Sequence, residues 1–237
     1  EQELISEGLP EQEILKLCDV HSAVLEGTID LSAAKQIPGG HPVDVMIQEN
    51  KELKILCGQI KTLLGQIAEE SKDLTLEVLK LRVYFNNLFD VDKHYRRKEY
   101  LLFPKLESYG ITGPPKVMWG KHDEIRELIK GGIELLKTEN ITVEELMASA
   151  EIILIPAVNG VADMTKKEEE ILLPMCLDKL TEADWYEIDK QSLEIGFCLY
   201  DPPKKWKPEW AKDNTLSEMN KIGGNIQLPS GSFSVEE

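Results

Sequence analysis

The chain has 237 residues, of which 42% are hydrophobic and 30% are charged, so it has enough apolar material for one or two domains with a sizeable core. It carries 27 basic and 43 acidic side chains, and this formal charge of −16 argues against nucleic-acid or anionic-membrane partners. We find no apolar run long enough to span a bilayer and no signal peptide, and the four cysteines form no CxxC motif. These features predict a cytoplasmic protein with reduced thiols.

Apolar residues recur with helical spacing along most of the chain, which predicts an all-α protein. The predicted helices cover 10–26, 42–70, about 74–107, 117–137, 143–180 and 181–196. Thr142 is followed three residues later by Glu145, which is the spacing of a capping box, and Thr181 with Asp184 marks the start of the last helix.

Prolines and glycines mark the predicted interruptions. Pro156 and Pro174 lie inside the helix predicted over 143–180, and we expect kinks there. After residue 198, four prolines, two tryptophans and a Gly-Gly pair predict an extended arm or linker. The chain is thus predicted to contain an N-terminal helical segment at 1–40, a helical bundle at 41–180, and a short helix with a linker at 181–237.

Two stretches of the chain repeat one another in tandem. The segment HYRRKEYLLFP from His94 matches MTKKEEEILLP from Met164, and ENKELKIL around Asn50 matches KHDEIREL around His122. Asn50 and His94 are 44 positions apart, and His122 and Met164 are 42 apart, so each copy has the spacing of a helical hairpin. Two such hairpins make an up-down four-helix bundle in which residues 50, 94, 122 and 164 meet at one level.

The two repeated segments, with KHDEI between them, resemble the hemerythrin HHE cation-binding domain over about residues 41–180. The segments EQELISEGLP, LCDVH, GPPKVMWG and WYEI are similar to proteins in which a short helical domain of unknown function precedes such a bundle. A PAS sensory domain often follows in those proteins, and GNIQLPSGSFSVEE resembles the lead-in to one. The resemblance therefore implies a C-terminal PAS domain of the same polypeptide as a partner, and it leaves a homodimer open.

The resemblance also implies a non-haem metal centre, usually iron, with zinc as the alternative. The family holds its metal with histidines and bridging carboxylates from all four helices, and imidazole and carboxylate are ligands that suit iron. The matching positions of this chain carry His94, His122 and Glu168, and Glu99 and Glu49 are the helper carboxylates nearest in sequence.

Several matching positions depart from the family pattern. Asn50 and Met164 stand where histidines are expected, and Lys98 stands at the i+4 position after His94 where a carboxylate is expected. Glu99 lies at i+5, off the ligand face unless the helix bulges. His41 is roughly 13 Å of helix away from residue 50, so we interpret it as a helix cap or a second-site ligand.

These departures leave three functions open. The leading prediction is a sensory or regulatory module with a degraded metal site, which passes its state to a C-terminal domain. The second is a metal enzyme acting on oxygen, peroxide or nitric oxide, and the replacements at 50, 98 and 164 argue against it. The third is a metal-free scaffold for dimerisation, in which His94 and His122 are core histidines and Lys98 forms a buried ion pair with Glu168.

Overall fold

The computed structural model describes residues 37–70, 74–211, 225–228 and 231–234, so the helix predicted over 10–26 lies outside the described residues. The α-helices of these ranges are α1 (Pro42–Glu70), α2 (Leu74–Leu88), α3 (Val91–Arg97), α4 (Phe103–Ser108), α5 (Gly113–Leu135), α6 (Val143–Ser149), α7 (Ile155–Lys167), α8 (Leu173–Lys179) and α9 (Glu182–Ile195). Three π-helical turns interrupt them, here called the first (Lys98–Leu102), second (Ala150–Leu154) and third (Glu168–Leu172) π turn.

Four long helical segments close around one apolar core. They are α1, the run from α2 to α4, α5, and the run from α6 to α8. Helix α1 packs against α2 and α7, and α5 packs against the same two helices. Each segment contributes fully buried apolar side chains, among them Leu53, Phe85, Ile129 and Val158. The predicted all-α bundle is confirmed.

The helix predicted over about 74–107 is divided at Phe89 and Asp90. The Asp90 N–H donates to the carbonyl of Asn87 at 3.1 Å, a three-residue spacing that tightens the chain out of the α-helical pattern. The Asp90 carboxylate binds Lys93 at 2.5 Å and accepts the backbone N–H of Leu199 at 3.4 Å. The sequence pattern missed this break because the apolar spacing continues across it.

The prolines inside the helices are accommodated by π turns. Each π turn ends two residues before a proline, at Pro104, Pro156 and Pro174. In the first π turn, the Phe103 N–H donates to the carbonyl of Lys98, five residues earlier. An equivalent five-residue bond closes each of the other two π turns. A proline ring clashes with the carbonyl four residues earlier, and a wider turn relieves that clash. The predicted disturbances at Pro156 and Pro174 are therefore π turns within a continuous helix.

Two helix starts agree with the sequence. The Thr142 hydroxyl accepts the backbone N–H of Glu145 at 3.2 Å, and the Glu145 carboxylate accepts the Thr142 N–H at 2.9 Å. Thr181 and Asp184 form the same reciprocal pair at the start of α9. Each pair satisfies backbone donors that a helix N-terminus otherwise leaves without a partner.

One helix of the described residues, over 143–179, is long and apolar enough to cross a membrane by length and composition. The prediction that no run of the chain reaches that length is therefore wrong on this criterion. The helix packs against α1 and α5 as the fourth member of the bundle, and core helices often meet the same criterion.

The chain after the bundle contains the predicted short helix, α9, and a pair of strands within the predicted arm. Helix α9 packs against α1, α3 and the first π turn. Strands β1 (Asn225–Leu228) and β2 (Gly231–Ser234) pair antiparallel, with Asn225 opposite Ser234. The division of the chain at residues 40 and 180 remains a prediction.

Candidate metal centre

The four residues that the repeat places at one level are all buried in the bundle. Asn50, His94 and His122 are fully enclosed, and Met164 is 2% exposed. The Asn50 side-chain amide donates to the carbonyl of Thr165 at 3.5 Å, which joins the first helical segment to the fourth. The register inferred from the repeat therefore brings these positions into the same core.

His94 is held between two carboxylates. Its Nδ1 lies 2.7 Å from Glu49 Oε2, and its Nε2 lies 2.8 Å from Glu168 Oε2. Ionised carboxylates only accept hydrogen bonds, so both ring nitrogens of His94 are engaged by acceptors. In this arrangement His94 offers no lone pair to a metal.

Glu49, one of the two helper carboxylates, turns into the core beside Asn50. Its Oε2 also accepts from the Arg97 guanidinium, and its Oε1 accepts the backbone N–H of Cys198 at 2.6 Å. Burial alone would raise the pKa of Glu49, but His94, Arg97 and the Cys198 amide together lower it below its usual value. Glu49 is therefore an anion with three donors.

Lys98 and Glu168 form the buried ion pair that the sequence predicted. Both side chains are enclosed, and the Lys98 ammonium donates directly to Glu168 Oε1. Burial lowers the pKa of Lys98, and Glu168 opposes that shift. Burial would raise the pKa of Glu168, but Lys98 and His94 hold it well below its usual range. The ammonium thus takes one oxygen of a carboxylate that the family pattern assigns to a metal.

His122 is the imidazole that keeps a free lone pair. Its Nδ1 lies 2.8 Å from Glu99 Oε1, and its ring stacks on Tyr95 at 3.9 Å. Burial lowers the pKa of His122 to about 4, so the ring is neutral, Nδ1 carries the proton and Nε2 is the acceptor. Nε2 is buried and has no hydrogen-bond partner in the described residues. A carboxylate behind the distal nitrogen is the arrangement that orients metal-binding histidines.

Glu99 faces the core because the helix bulges at this point, which is the condition on which its i+5 position can reach the ligand face. The first π turn begins at Lys98 and rotates the following residue inward, so Glu99 is only 2% exposed. Arg126 donates to Glu99 Oε2 at 2.8 Å and holds the carboxylate against His122. In the third π turn the corresponding residue, Glu169, instead lies at the surface of the bundle and pairs with Lys54.

His41 lies apart from the other candidates, at the N-terminus of α1. Its Nδ1 accepts the backbone N–H of Val43 at 3.2 Å, and its ring packs 5.0 Å from Trp185 and 4.6 Å from Trp206. Burial lowers the pKa of His41 to about 4. Its place among the metal candidates is corrected, because the helix between residues 41 and 50 separates it from the core: His41 is a helix cap.

The residues present do not fit a two-metal centre. Across the described ranges, no three His, Cys, Asp or Glu side chains are grouped so as to hold a metal ion. The anions Glu49 and Glu168 already bind the His94 ring and two cations, Arg97 and Lys98. A bound cation would have to displace these partners, and of the histidines at this level of the described bundle only His122 offers a free nitrogen.

Sequence reasoning missed four members of the site, which are Tyr95, Arg97, Arg126 and the Cys198 amide. Arg126 stands four residues after His122, so helical spacing alone places it on the same face. Arg97 lies inside the repeated segment, three residues after His94, and a charged residue in a helix is usually expected at the surface. Cys198 is 149 positions from Glu49, and no local pattern indicates that contact.

Comparison with known families gives two matches. The family described as hemerythrin HHE cation binding domain matches residues 41–176, more than half of the chain. A family of unknown function, DUF438, matches residues 1–31. No curated protein matches the sequence. The match over the bundle, together with a buried histidine and carboxylate cluster at the predicted level, shows that the chain belongs to the hemerythrin HHE cation-binding family.

Proposed function

We propose that this chain is a sensory or regulatory module of the hemerythrin HHE family in which a buried ion network has replaced the metal centre. The ion network comprises Glu49, His94, Arg97, Lys98 and Glu168. The observation that carries the proposal is the enclosed ammonium of Lys98, which binds Glu168 where the family pattern expects a carboxylate and a metal.

Electrostatics support an ion network over a metal in this core. Two like unit charges 4 Å apart repel by about 4 kcal/mol at an effective dielectric constant of 20. A divalent ion beside Lys98 would meet a repulsion of this order twice over, and it would also compete with His94 and Lys98 for Glu168. Both partners of a buried ion pair have already lost their solvation by water. A metal that separated them would have to compensate each partner for the bond it loses.

We also propose that the signal leaves through the chain that follows the bundle, toward a PAS domain of the same polypeptide in the cytoplasm. The similarity of the tail GNIQLPSGSFSVEE to the start of such domains supports this partner. A homodimer is a further proposal, and an apolar stripe on α2 at Leu79 and Val83, 47% and 56% exposed, is consistent with it.

Restoring the family pattern tests the proposal. We expect the double variant Lys98→Glu, Met164→His to bind iron or zinc at about one or more ions per chain, and the parent well below one, because the variant removes a cation and adds two ligands. Elemental analysis after equal metal loading measures this. Lys51→Glu with Met147→His makes the same changes outside the ion network, at an exposed and a partly buried position, and should match the parent.

Two results would contradict the proposal. One is a parent protein with near-stoichiometric iron and the absorption of an oxo-bridged pair. The other is a folded double variant, checked by circular dichroism, that takes up no more metal than the parent.

A second candidate function is metal chemistry at a single ion, and the free Nε2 of His122 favours it. Glu99 and Arg126 hold that ring in the tautomer that a ligand requires. If this is the function, the parent will bind about one ion per chain and His122→Ala will abolish binding. If the ion network is the function, His122→Ala will leave the low metal content of the parent unchanged.

A further inference from the structure

The chain that leaves α9 turns back onto the ion network. Helix α9 ends at Ile195, its C-cap Gly196 has a φ of +90°, and Leu199 has a φ of +55°. A left-handed backbone is accessible to glycine but uncommon for leucine, so it persists only where neighbouring contacts hold it. We call residues 196–199 the latch segment.

The centre of the latch segment is bound by the network itself. The Cys198 N–H donates to Glu49 Oε1 at 2.6 Å, and both groups are buried. The Phe197 ring lies 4.9 Å from the guanidinium carbon of Arg97, in the geometry of a cation–π contact. Two network members therefore hold two successive residues of the latch segment.

The end of the latch segment is bound by the break between α2 and α3. Leu199 donates its N–H to Asp90 Oδ2 at 3.4 Å, while the other oxygen of Asp90 binds Lys93. This contact fixes the residue with the left-handed backbone. The break in the second helical segment thus lies where the chain returns after α9.

Glu49 connects the ion network to the latch segment through its two carboxylate oxygens. Oε2 serves His94 and Arg97, and Oε1 serves Cys198. A buried carboxylate that rotates to improve one set of bonds leaves the donors of the other set without a partner, which is costly in a dry core. The position of the network and the position of the latch segment are thus coupled through one side chain.

The chain beyond the latch segment has a second, separate attachment. A methyl group on Gly40 would lie 2.4 Å from the backbone oxygen of Lys204, so the two backbones are in close contact there. Trp206 packs against His41 and is 9% exposed. Release of the latch segment would therefore move the chain between two fixed points, α9 and Trp206.

We propose that residues 196–199 form a conformational latch through which the ion network sets the position of the C-terminal chain. The inference rests on the proposed function, because a network that carries a signal needs an element that reports its state. Glu49 is the positioning residue of the latch, and the bond to Cys198 is its closed state.

Glu49→Gln tests the latch directly. A glutamine has one acceptor oxygen for donors on both sides, so Arg97 and the Cys198 N–H cannot both keep their bonds. We expect hydrogen exchange of the Cys198 amide to become at least about tenfold faster, while the amide of Trp206 keeps its rate. Glu52→Gln, an exposed change on the same helix, should leave both rates unchanged. Equal Cys198 exchange in a folded Glu49→Gln variant and the parent would overturn the proposal.

Asp90→Ala keeps the proposal testable if Glu49→Gln fails to fold. The Asp90 side chain is 30% exposed, so its loss does not empty the core. The latch predicts faster exchange of the Leu199 amide in this variant, and an unchanged rate would contradict it. Metal content of the parent is measured separately, so a metal-loaded parent would refute the proposed function while the exchange rates decide the latch.

Discussion

Glu168 is the residue on which the buried charges depend most. Its two oxygens hold His94 and Lys98, and all three side chains are enclosed. The next residue, Glu169, makes a salt bridge of 2.7 Å with Lys54 at a partly exposed position. Two consecutive carboxylates thus sit in opposite environments, which makes them a matched pair for measuring the ion network.

We expect Glu168→Ala to lower the free energy of unfolding by about 3–5 kcal/mol, because it leaves the buried ammonium of Lys98 without its anion. Glu169→Ala should cost at most about 1 kcal/mol, as for a surface salt bridge. Urea denaturation at pH 7 measures both. Similar losses for the two variants would mean that Glu168 does not hold the network together.

At the scale of elements, π turns and glycines decide which side chains face the core. The first π turn turns both Lys98 and Glu99 inward, although ordinary helical spacing would place only one of them there. Glycine sets how closely helices approach: Gly132 on α5 faces Phe85 of α2 and Leu154 of the second π turn. The neighbouring Gly131 has no such restriction.

Alanine at these two glycines should have opposite effects. A methyl group at Gly132 would lie 2.5 Å from the Phe85 ring and 2.9 Å from Leu154, so Gly132→Ala should destabilise the protein by about 1–3 kcal/mol. At Gly131 the nearest contact is an ordinary 3.5 Å to Ile153, so Gly131→Ala should stabilise by up to about 1 kcal/mol. Thermal unfolding checks both, and a stable Gly132→Ala would show that α5 is free to move away from α2.

At the scale of the whole molecule, two buried histidines link folding to pH. Burial lowers the pKa of His41 and of His122 from 6.5 to about 4. Between these values the folded state binds fewer protons than the unfolded state, so stability is present above about pH 6.5 and is lost as the pH falls. Below pH 4.5 the anions Glu49 and Glu168 extend the loss, because their pKa values are also lowered by folding.

We therefore expect the free energy of unfolding to fall between pH 6.5 and 4 by up to about 1.4 kcal/mol per pH unit for each of the two histidines. His41→Asn keeps a cap acceptor at the start of α1 but removes one of the two titrating groups, so it should reduce the total slope by about half. Denaturant titrations across this range measure the slope. An equal slope in the variant would mean that His41 is not neutral in the folded protein.

The amino-acid sequence by itself determined the bundle and the level of its site. Apolar spacing fixed the helical faces, and the tandem repeat placed His94 and His122 in one core with Glu168 a turn away. It also predicted the Lys98–Glu168 pair, because residues at i+4 share a helix face. These inferences held because periodicity is a local property that each helix carries in its own residues.

Only the tertiary structure decided what occupies that site. Glu99 faces His122 because a π turn shifts the helical register by one residue, and regular spacing contains no sign of that shift. His41 is a helix cap that packs against two tryptophans, and Glu49 accepts the N–H of Cys198, 149 positions away. Such contacts depend on how separate segments fold back on one another, and each buried donor or acceptor then takes the partner that the packing places beside it.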